Sequence, residues 1–376
     1  MRVILEAQHA CTPTPRGIPV YTIELIRSLL KRNAFDYSIS FFDKNRERNN
    51  RQYIDRYFGG YNVPIYECNT DSYKDLMDGD KIYLHKSYDD IIGASGDVFH
   101  FLHIVPFPSK VNGKVVITVH DLLPMIFPEL FDKKVVEQFN YTCNKILEKK
   151  PCLVADSKAT KYDVFNILKY DNVQIVPLGY DRSCFYYDTE GALPDTMNIT
   201  SPYLFYCGAL DMRKNILRII EAFEKISAEF PKLTLVLAGA AGANAGPILK
   251  YLEENNNDRI KIVGYVTDNQ KRILMSNATA FIFPSLYEGF GLPILEAMAC
   301  GCPVITSNVS SMPEVAGDAA LYVDPYDKIS IANACYRVIT SEALRSNMIE
   351  KGFAQSRKFS WDKTAETMEQ IYEKLL

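Results

Sequence analysis

Two glutamates, Glu288 and Glu296, flank the start of a predicted helix and have the spacing best suited to chemistry. An apolar strand runs into a loop that carries Glu288 and Gly291, and Pro293 then stands near the first position of the helix. Small residues there let a ligand approach free backbone N–H groups, and the helix dipole favours an anion. Because a carboxylate does not bind an anion, we expect the two glutamates to accept hydrogen bonds from sugar hydroxyls.

Arg213 and Lys214 follow a predicted strand and come just before another helix. The N-terminus of a helix disfavours cations, so this position makes sense if an anion lies between the side chains and the dipole. A diphosphate would use Arg213 as a fork and Lys214 as a point charge. A solvated basic turn is the alternative that this feature alone leaves open.

Polar residues also end two strands in the first half of the chain. His120 and Asp121 close a buried apolar strand, and such a pair indicates a ligand contact because strand ends form the sites of α/β sheets. We expect His120 to act on a sugar hydroxyl or as a general acid/base, with Asp121 orienting it. Ser157 is predicted to cap a helix, with a phosphate contact as a second role left open.

Two glycine-containing loops complete the candidate set. Gly17 ends the first strand–helix loop, where it would let the backbone approach the same phosphates; a plain turn glycine is the alternative. The loop that begins at Gly239 lacks both the G-x-G-x-x-G spacing and a suitably placed acid, so a dinucleotide-dependent oxidoreductase is disfavoured. We interpret it as a loop that lines a cleft.

Strands and helices alternate in two series along the 376 residues, which predicts two doubly wound α/β domains. Ligands bind beyond the carboxyl ends of such strands, so the two sheet edges are expected to face each other across a cleft. The best linker between the two series holds Gly191, Pro194, Asp195, Asn198 and Pro202.

The composition, 47% hydrophobic and 23% charged, is that of a globular protein, and a formal charge of −4 argues against a nucleic-acid partner. No apolar run approaches the length of a membrane span. Nine scattered cysteines are expected to be free thiols in a reducing cytoplasm. For His100 and His103, a core or rim role is favoured over a metal site, since no carboxylate cluster accompanies them.

The chain resembles the family-4 retaining glycosyltransferases of the GT-B fold over nearly its whole length, most strongly from Tyr203 to Tyr322. The motif that carries the resemblance is the Glu-x7-Glu pair of Glu288 and Glu296. The run Val119-His-Asp-Leu-Leu-Pro is similar to a subgroup of bacterial mannosyl- and rhamnosyltransferases of surface-polysaccharide synthesis.

The resemblance implies two Rossmann-like domains. An acceptor domain would span residues 1–181, and a nucleotide-sugar donor domain would span residues 182–359. The C-terminal helix, within residues 360–376, would cross back to the first domain.

The same resemblance implies roles for charged side chains. Arg213 and Lys214 would hold the donor diphosphate, and Glu296 would bind the donor ribose. Glu288 would contact the transferred sugar and stabilise its developing positive charge. His120 would lie beside that sugar.

Backbone groups take the remaining contacts that the resemblance implies. Phe290, Gly291 and Leu292 would meet sugar hydroxyls and phosphate. Val266 would lie against the nucleobase, and Gly17 would lie beside the phosphates.

The implied reaction is sugar transfer with retained configuration, in which an acceptor hydroxyl attacks from the face that the diphosphate leaves, through an oxocarbenium-like transition state. Cationic side chains and helix N-termini would stabilise the leaving group, so neither a metal nor a cofactor is expected. The implied acceptor is a glycan or a lipid-linked saccharide. We expect a cytoplasmic protein. A lipid-linked acceptor leaves open a position at the inner face of the membrane, although the sequence shows no clear basic amphipathic helix.

Two other functions are left open: a sugar-nucleotide epimerase or hydrolase of the same fold, and a non-catalytic protein that binds nucleotide sugars. The sequence does not specify the donor sugar, its base or the acceptor. The irregular stretch from Asp43 to Asp90 is expected to shape the acceptor site.

Overall fold

The computed structural model of the protein describes residues 1–42, 49–68, 87–104, 110–192 and 197–376. The chain divides into two compact units, Met1–Gly179 with Trp361–Leu376 and Tyr180–Ser360. Both boundaries lie within two residues of those expected from the sequence. Two residues of the expected linker, Pro194 and Asp195, lie outside the described residues, as do parts of the stretch from 43 to 90 that was expected to shape the acceptor site.

The first unit is built on a parallel sheet of seven described strands. These strands are β1 (Arg2–Glu6), β2 (Asp36–Phe42), β3 (Ile65–Cys68), β4 (Val98–Phe101), β5 (Lys114–Val119), β6 (Cys152–Ala155) and β7 (Val173–Ile175). Their order is β3-β2-β1-β4-β5-β6-β7, and every pairing is parallel. Successive strands are added on one side of β1 up to β3 and on its other side from β4 onward, which creates a switch point between β1 and β4 at the carboxyl ends of the strands.

Helices connect these strands and cover the sheet. They are α1 (Ile18–Arg32), α2 (Asn50–Phe58), α3 (Tyr88–Ile92), α4 (Leu123–Ile126), α5 (Lys133–Glu148) and α6 (Lys158–Leu168). Right-handed crossovers place the helices of the two halves on opposite faces of the sheet. This is why β5, with the sequence KVVITV, is apolar on both sides: its last four residues are all buried.

The second unit contains a parallel sheet of six described strands. They are β8 (Tyr203–Cys207), β9 (Thr234–Ala238), β10 (Ile260–Gly264), β11 (Ala280–Phe283), β12 (Val304–Ser307) and β13 (Ala320–Val323). Their order is β10-β9-β8-β11-β12-β13, with parallel pairing throughout. The switch point lies between β8 and β11, so the loops that follow these two strands share one edge.

The helices of the second unit are α7 (Ile216–Ser227), α8 (Gly246–Asn255), α9 (Asp268–Asn277), α10 (Leu292–Ala299), α11 (Met312–Ala316), α12 (Lys328–Thr340) and α13 (Glu342–Ser356). α10 ends with Gly301 just beyond it at a φ of 68°, and Pro303 leads into the next strand. The prediction of two doubly wound α/β domains is confirmed.

The C-terminal helix, α14 (Trp361–Lys374), belongs to the first unit, where it packs against α1. Arg32 on α1 donates a hydrogen bond to Glu369 over 2.8 Å, and the Tyr37 hydroxyl donates to the same carboxylate over 3.0 Å. The Tyr372 hydroxyl lies 2.6 Å from Nδ1 of His100, which is on the end of β4. These contacts confirm that the last helix returns to the first domain.

Several elements were not predicted from the sequence, among them β3, α9, α12 and α13. β3 lies in the irregular stretch from Asp43 to Asp90. It was missed because its four residues, IYEC, are too few to show an alternating pattern. α9 was also missed, although Thr267 and Gln270 form a capping box at its start.

No disulfide joins any of the nine cysteines, all of which are among the described residues, in agreement with the expected thiols. Across the described parts of the chain, no helix has the combination of length and apolar character that crossing a membrane requires.

Candidate active site

In the second unit, Arg213 and Lys214 lie on a single 3₁₀ turn, Met212–Lys214, that follows β8. Asp211 caps this turn, since its side chain accepts a hydrogen bond from the Arg213 N–H over 3.1 Å. Asn215, with a φ of 65°, then begins α7. The two basic residues therefore stand immediately before a helix, as the sequence indicated.

Both cationic side chains converge on one carboxylate. Lys214 Nζ lies 2.6 Å from Glu288 Oε1, and Arg213 Nη1 lies 3.1 Å from Glu288 Oε2. The Glu288 side chain is only 11% exposed, and those of Arg213 and Lys214 are 21% and 13% exposed. The β8 and β11 loops, 74 residues apart along the chain, thus form one charged cluster.

Burial and ion pairing shift the pKa values of Glu288 and Lys214 in opposite directions. Burial alone would raise the pKa of Glu288, but Lys214 and Arg213 oppose it and lower that pKa to about 2. Burial lowers the pKa of the Lys214 amine, and the neighbouring Arg213 lowers it further, while Glu288 acts in the opposite sense. The carboxylate is therefore held in its ionised form.

Hydroxyl groups fix the backbone of the Glu288 loop. Ser310 donates to the Glu288 carbonyl over 2.6 Å, and Ser311 Oγ lies 2.6 Å from the Phe290 carbonyl oxygen. On the opposite side, the Leu286 N–H donates to the Arg213 carbonyl over 2.9 Å. Because these bonds join three separate loops, the geometry of the charged cluster is set by the backbone.

The loop ends at the N-terminus of α10. Gly291 is the N-cap residue, with a φ of 112° that disfavours any side chain, and no side-chain hydrogen bond caps the helix. Leu292 is the first helical residue and Phe290 is buried, with its ring 5.9 Å from that of Phe359. This end of the helix has the geometry that was expected for an anion site.

Glu296, in the second turn of α10, pairs with Lys271 of α9. Both side chains are nearly buried, and Lys271 Nζ also lies over the Phe185 ring, 5.0 Å from its centroid. Burial would lower the pKa of Lys271, but Glu296 outweighs it and raises that pKa. Lys271 belongs to the candidate site, and the sequence reading did not include it.

Val266 follows β10 and lies beside the α9 cap; it is buried, whereas Tyr265 is half exposed. The neighbouring loop after β9 approaches the β8 loop very closely. A Cβ on Gly239 would lie 1.8 Å from the carbonyl oxygen of Gly208, so only glycine fits there. Tight packing at this edge, and not a dinucleotide motif, accounts for Gly239.

In the first unit, His120 ends β5 and is 8% exposed. Its Nδ1 lies 2.6 Å from Asp156 Oδ2, and its Nε2 lies 3.0 Å from the Leu102 carbonyl oxygen. A carbonyl and a carboxylate only accept hydrogen bonds, so both ring nitrogens donate. Burial would lower the pKa of His120, but Asp156 and the Leu102 carbonyl together raise it. Both acceptors therefore favour the protonated ring.

The prediction that Asp121 orients His120 is wrong. The Asp121 carboxylate accepts a hydrogen bond from the N–H of Leu123, two residues further along the chain, over 3.0 Å. Asp156, at the end of the adjacent strand β6, orients the ring instead. Neighbouring parallel strands end side by side, which brings together residues that are 36 positions apart in sequence.

Ser157 caps α6 as predicted, with its hydroxyl accepting from the Thr160 N–H over 3.0 Å. The residue is 1% exposed, so a phosphate contact through this hydroxyl has no support in the geometry. Gly17 precedes α1 with a φ of 58°, and a Cβ there would meet no atom within 4 Å. Its glycine is therefore required by conformation and leaves open space beside the helix N-terminus.

Other histidines surround His120. His103 stacks on it with ring centroids 5.6 Å apart, and His9 meets His103 edge-on at 4.8 Å. His100 is buried between Tyr372 and Thr118, which confirms a core role. Among the described residues, no group of three or more His, Cys, Asp or Glu side chains is arranged to hold a metal ion.

The structure thus assembles the predicted residues into two clusters, one in each unit. The second unit brings together Arg213, Lys214, Glu288 and the start of α10. Lys271 and Asp156 were missed. The T-x-x-Q capping box marks the helix that carries Lys271, and Asp156 stands at a strand end just before a helix cap, so the sequence held a signal for each.

Comparison with known proteins shows which family the chain resembles. The family model described as glycosyl transferases group 1 matches residues 196–355. The O-antigen chain mannosyltransferase B of Escherichia coli is 31% identical over 256 residues, covering 66% of this chain and 67% of that protein. The serotype-specific mannosyltransferase WbdA of Escherichia coli is 29% identical over 281 residues, which cover 71% of this chain and 34% of WbdA.

Solved structures show the same fold at lower identity. The sucrose-phosphate synthase of Thermosynechococcus elongatus superimposes with a TM-score of 0.79 at 21% identity, covering 100% of this chain and 98% of that one. HepE of Anabaena, solved in complex with UDP and glucose, gives a TM-score of 0.74 at 15% identity over all of both chains.

Proposed function

The chain belongs to the glycosyltransferase group 1 family, and we propose that it is a retaining enzyme that moves mannose from a nucleoside-diphosphate sugar to a hydroxyl of a growing bacterial surface glycan. The mannose and the surface glycan rest on the names of the relatives, an O-antigen chain mannosyltransferase and a serotype-specific mannosyltransferase. The expected alternative of rhamnose has no such support.

The observation that carries the proposal is the convergence of Arg213 and Lys214 on the single carboxylate of Glu288. The carboxylate that binds both cations lies on the loop that leads, three residues later, to Gly291 at the uncapped N-terminus of α10, where backbone N–H groups favour negative charge. A diphosphate has the charge and the oxygen atoms to take over part of both side chains' hydrogen bonding. We place the donor diphosphate against Arg213, Lys214 and the backbone of Gly291 and Leu292.

Glu288 then faces the sugar. Its low pKa keeps the carboxylate charged at any physiological pH, which suits a group that must stabilise positive charge. As the bond between the anomeric carbon and the phosphate oxygen breaks, positive charge develops on the sugar, and the carboxylate stabilises it. Because the charge is fixed beforehand, little reorganisation is needed during the reaction.

The acceptor hydroxyl attacks the anomeric carbon from the face that the diphosphate leaves. The new bond forms between the hydroxyl oxygen and the anomeric carbon, and the hydroxyl proton passes to the departing phosphate oxygen. Retention follows because both bonds lie on one face. Arg213, Lys214 and the helix N-terminus supply the positive charge that the leaving group needs, so we propose that neither metal nor cofactor takes part.

The nucleoside part of the donor lies further along the same edge. Glu296, held by Lys271, accepts hydrogen bonds from the ribose hydroxyls, and the backbone at Val266 meets the base. The Phe290 backbone, fixed by Ser311, contacts the sugar hydroxyls.

We assign the acceptor to the first unit, where His120 and Asp156 lie at the sheet edge. An imidazolium with both N–H groups occupied does not act as a general base, so His120 would serve by its charge and position. The acceptor is a glycan hydroxyl carried on a lipid, and the protein works in the cytoplasm at the inner face of the membrane.

A donor screen tests the proposal. The protein is melted in the presence of a panel of nucleoside-diphosphate sugars, and the one that raises its Tm is then supplied with lipid-linked glycan extract while release of nucleoside diphosphate is measured. We expect a mannose donor to stabilise the fold and turnover to require the acceptor. The matched control for Arg213→Ala is Lys225→Ala, which removes an exposed cation in the last turn of α7, at the end of the helix opposite to the cluster.

Each alternative function gives a different result. A hydrolase or epimerase would turn over the donor without acceptor, and a binding protein would be stabilised by the donor but transfer nothing to any acceptor. Stabilisation that survives Arg213→Ala and Lys214→Ala undiminished would place the donor elsewhere and contradict the proposal.

A further inference from the structure

Helix α6 presents one face that combines exposed aromatic rings with lysines. The residues on that face are Lys158, Lys161, Tyr162 and Phe165. Their spacing of three or four positions places them within about a third of the helix circumference.

The opposite face of α6 is a core face. Thr160 and Val164 are fully buried, and Leu168 packs against the same hydrophobic cluster as the strands. The orientation of the helix is therefore fixed by packing, and the aromatic face is turned outward by necessity. Tyr162 and Phe165 are 68% and 56% exposed.

This exposure is unusual for the chain. Phe165 is the only phenylalanine among the large hydrophobic side chains that are exposed in the described residues. A phenyl ring has no polar atom with which to compensate for contact with water, so its exposure in a fixed orientation favours an apolar environment.

The charge around the rings has one sign. The face holds two lysines and no carboxylate, since Asp163 is not at a position that helical spacing assigns to it, and Lys169 follows directly as the C-cap residue. The segment 133–169, which covers α5 and α6, contains eight lysines and four acidic residues, whereas the whole chain has a formal charge of −4. A partner of this face must therefore accept both shallow apolar insertion and positive charge.

We propose that this face of α6 docks on the surface of an anionic lipid membrane. Rings of tyrosine and phenylalanine settle at the boundary between headgroups and acyl chains, while lysines extend their stems to reach lipid phosphates. This inference rests on the proposed function only in that a lipid-linked acceptor would bring the enzyme to a membrane.

Size favours a lipid partner over a protein. The helix has 11 residues and is therefore about 16 Å long, and one helix face of that length falls well short of the roughly 800 Å² that each side of a stable protein interface buries. A membrane surface does not need a shape that matches the helix. Each lysine and each aromatic ring adds its own contribution to the free energy of membrane binding.

The docked helix would also orient the candidate site. Ser157 caps α6 at the carboxyl edge of the sheet, and Thr160 donates a hydrogen bond to the His120 carbonyl over 3.1 Å. The face that meets lipid and the residues around His120 thus belong to one rigid segment of the first unit. The acceptor side of the site would be held close to the membrane surface.

Flotation with lipid vesicles tests the proposal on the full chain. We expect the protein to bind vesicles that contain about 30% phosphatidylglycerol and to bind pure phosphatidylcholine several-fold less. Binding to the anionic vesicles should fall as NaCl rises to about 0.5 M, because the lysine contribution is screened. The double variant Tyr162→Ser with Phe165→Ser should lower the bound fraction at least about five-fold.

The matched control is Tyr326→Ser with Tyr336→Ser, which removes two exposed rings of the second unit and should bind like the wild type. A thermal melt and donor binding verify that each variant is folded, so loss of vesicle binding is separable from failure of the proposed activity. Equal binding by the α6 variant, or no binding to anionic vesicles, would overturn the proposal. So would a wild-type dimer that the α6 variant dissociates, since a second copy would then cover the face.

Discussion

The two units each bury a carboxylate against a cationic group at the carboxyl edge of a parallel sheet, but they differ in the ratio of charges. In the second unit, Arg213 and Lys214 share Glu288. In the first unit, the single imidazolium of His120 meets the single carboxylate of Asp156, and its other nitrogen donates to a carbonyl. The arrangement in the second unit suits a site that receives an anion, because the cations outnumber the carboxylate. The arrangement in the first unit suits a side chain that is held in place.

The difference follows from the backbone beside each pair. Glu288 lies on a loop that leads into an uncapped helix N-terminus, whereas Asp156 is followed directly by Ser157, which caps its helix. An uncapped terminus keeps its attraction for a ligand anion, and a capped one has already satisfied part of it. We therefore expect ligand binding to depend on the Glu288 cluster of the second unit and fold stability to depend on the His120–Asp156 pair of the first unit.

The largest effect is expected from the cations of the second unit. Arg213→Ala or Lys214→Ala should each lower kcat/KM about 100- to 1,000-fold, as loss of one group that stabilises developing charge does. Stability should fall little, since Glu288 keeps the other cation. Turnover assays measure kcat/KM for each variant, with Lys225→Ala as the control. Normal turnover by both Arg213→Ala and Lys214→Ala would remove the basis for the assigned site.

In the first unit, the expected effect is on stability. Asp156→Asn leaves a buried imidazolium without its carboxylate, so the free energy of unfolding should fall by about 3 kcal/mol. Asp121→Asn is the matched control and should cost less than about 1 kcal/mol, because its carboxylate accepts one backbone N–H bond. Denaturant unfolding compares the two, and equal losses would restore Asp121 as a partner of His120.

The two pairs should respond to opposite ends of the pH range. The pKa of Glu288 is lowered to about 2, so its contribution is present above its unfolded pKa and is lost as pH falls toward 2. The pKa of His120 is raised, so its contribution is present below its unfolded value and is lost as pH rises through the folded one.

The free energy of unfolding, measured from pH 7 down to pH 2, tests the predicted loss of the Glu288 contribution at low pH. The wild type should lose roughly 2–3 kcal/mol more than Glu288→Gln over that range. A wild type and a variant with parallel pH profiles would show that Glu288 is not held ionised by its cations.

The smallest effect is expected at the cap. Ser157→Ala should lower the free energy of unfolding by about 1 kcal/mol, because the Thr160 N–H loses its acceptor. Donor binding, followed by thermal shift, should not change. A large loss of donor affinity with unchanged stability would instead assign Ser157 to the phosphate.

Much of the site could be predicted from the sequence because its residues follow predictable strands or open predictable helices. Arg213, Lys214, Glu288 and Gly291 all stand at such junctions, where both periodicity and turn residues are informative. What could not be predicted is which of these residues meet. The pairing of Glu288 with both cations depends on the adjacency of β8 and β11, which the order of strands in the sheet determines.

The error at Asp121 has the same origin. In sequence, Asp121 is the nearest carboxylate to His120, and proximity along the chain was taken for proximity in space. At the end of a strand the next residue points away from its neighbour, whereas the residue at the same level of the adjacent strand lies beside it. The exposed face of α6 was missed for a related reason, since only the packing of Val164 and Leu168 reveals which side of the helix faces outward.

The sequence by itself determined the two alternating α/β series, the loops that end their strands and the types of residue placed on those loops. These are local properties, set by the period of apolar residues and by the backbone preferences of glycine, proline and capping residues. Only the tertiary structure decided that Glu288 pairs with two cations, that Asp156 holds His120 and that α6 turns its aromatic face outward. Such contacts join residues many positions apart, and their geometry exists only once parallel strands lie side by side.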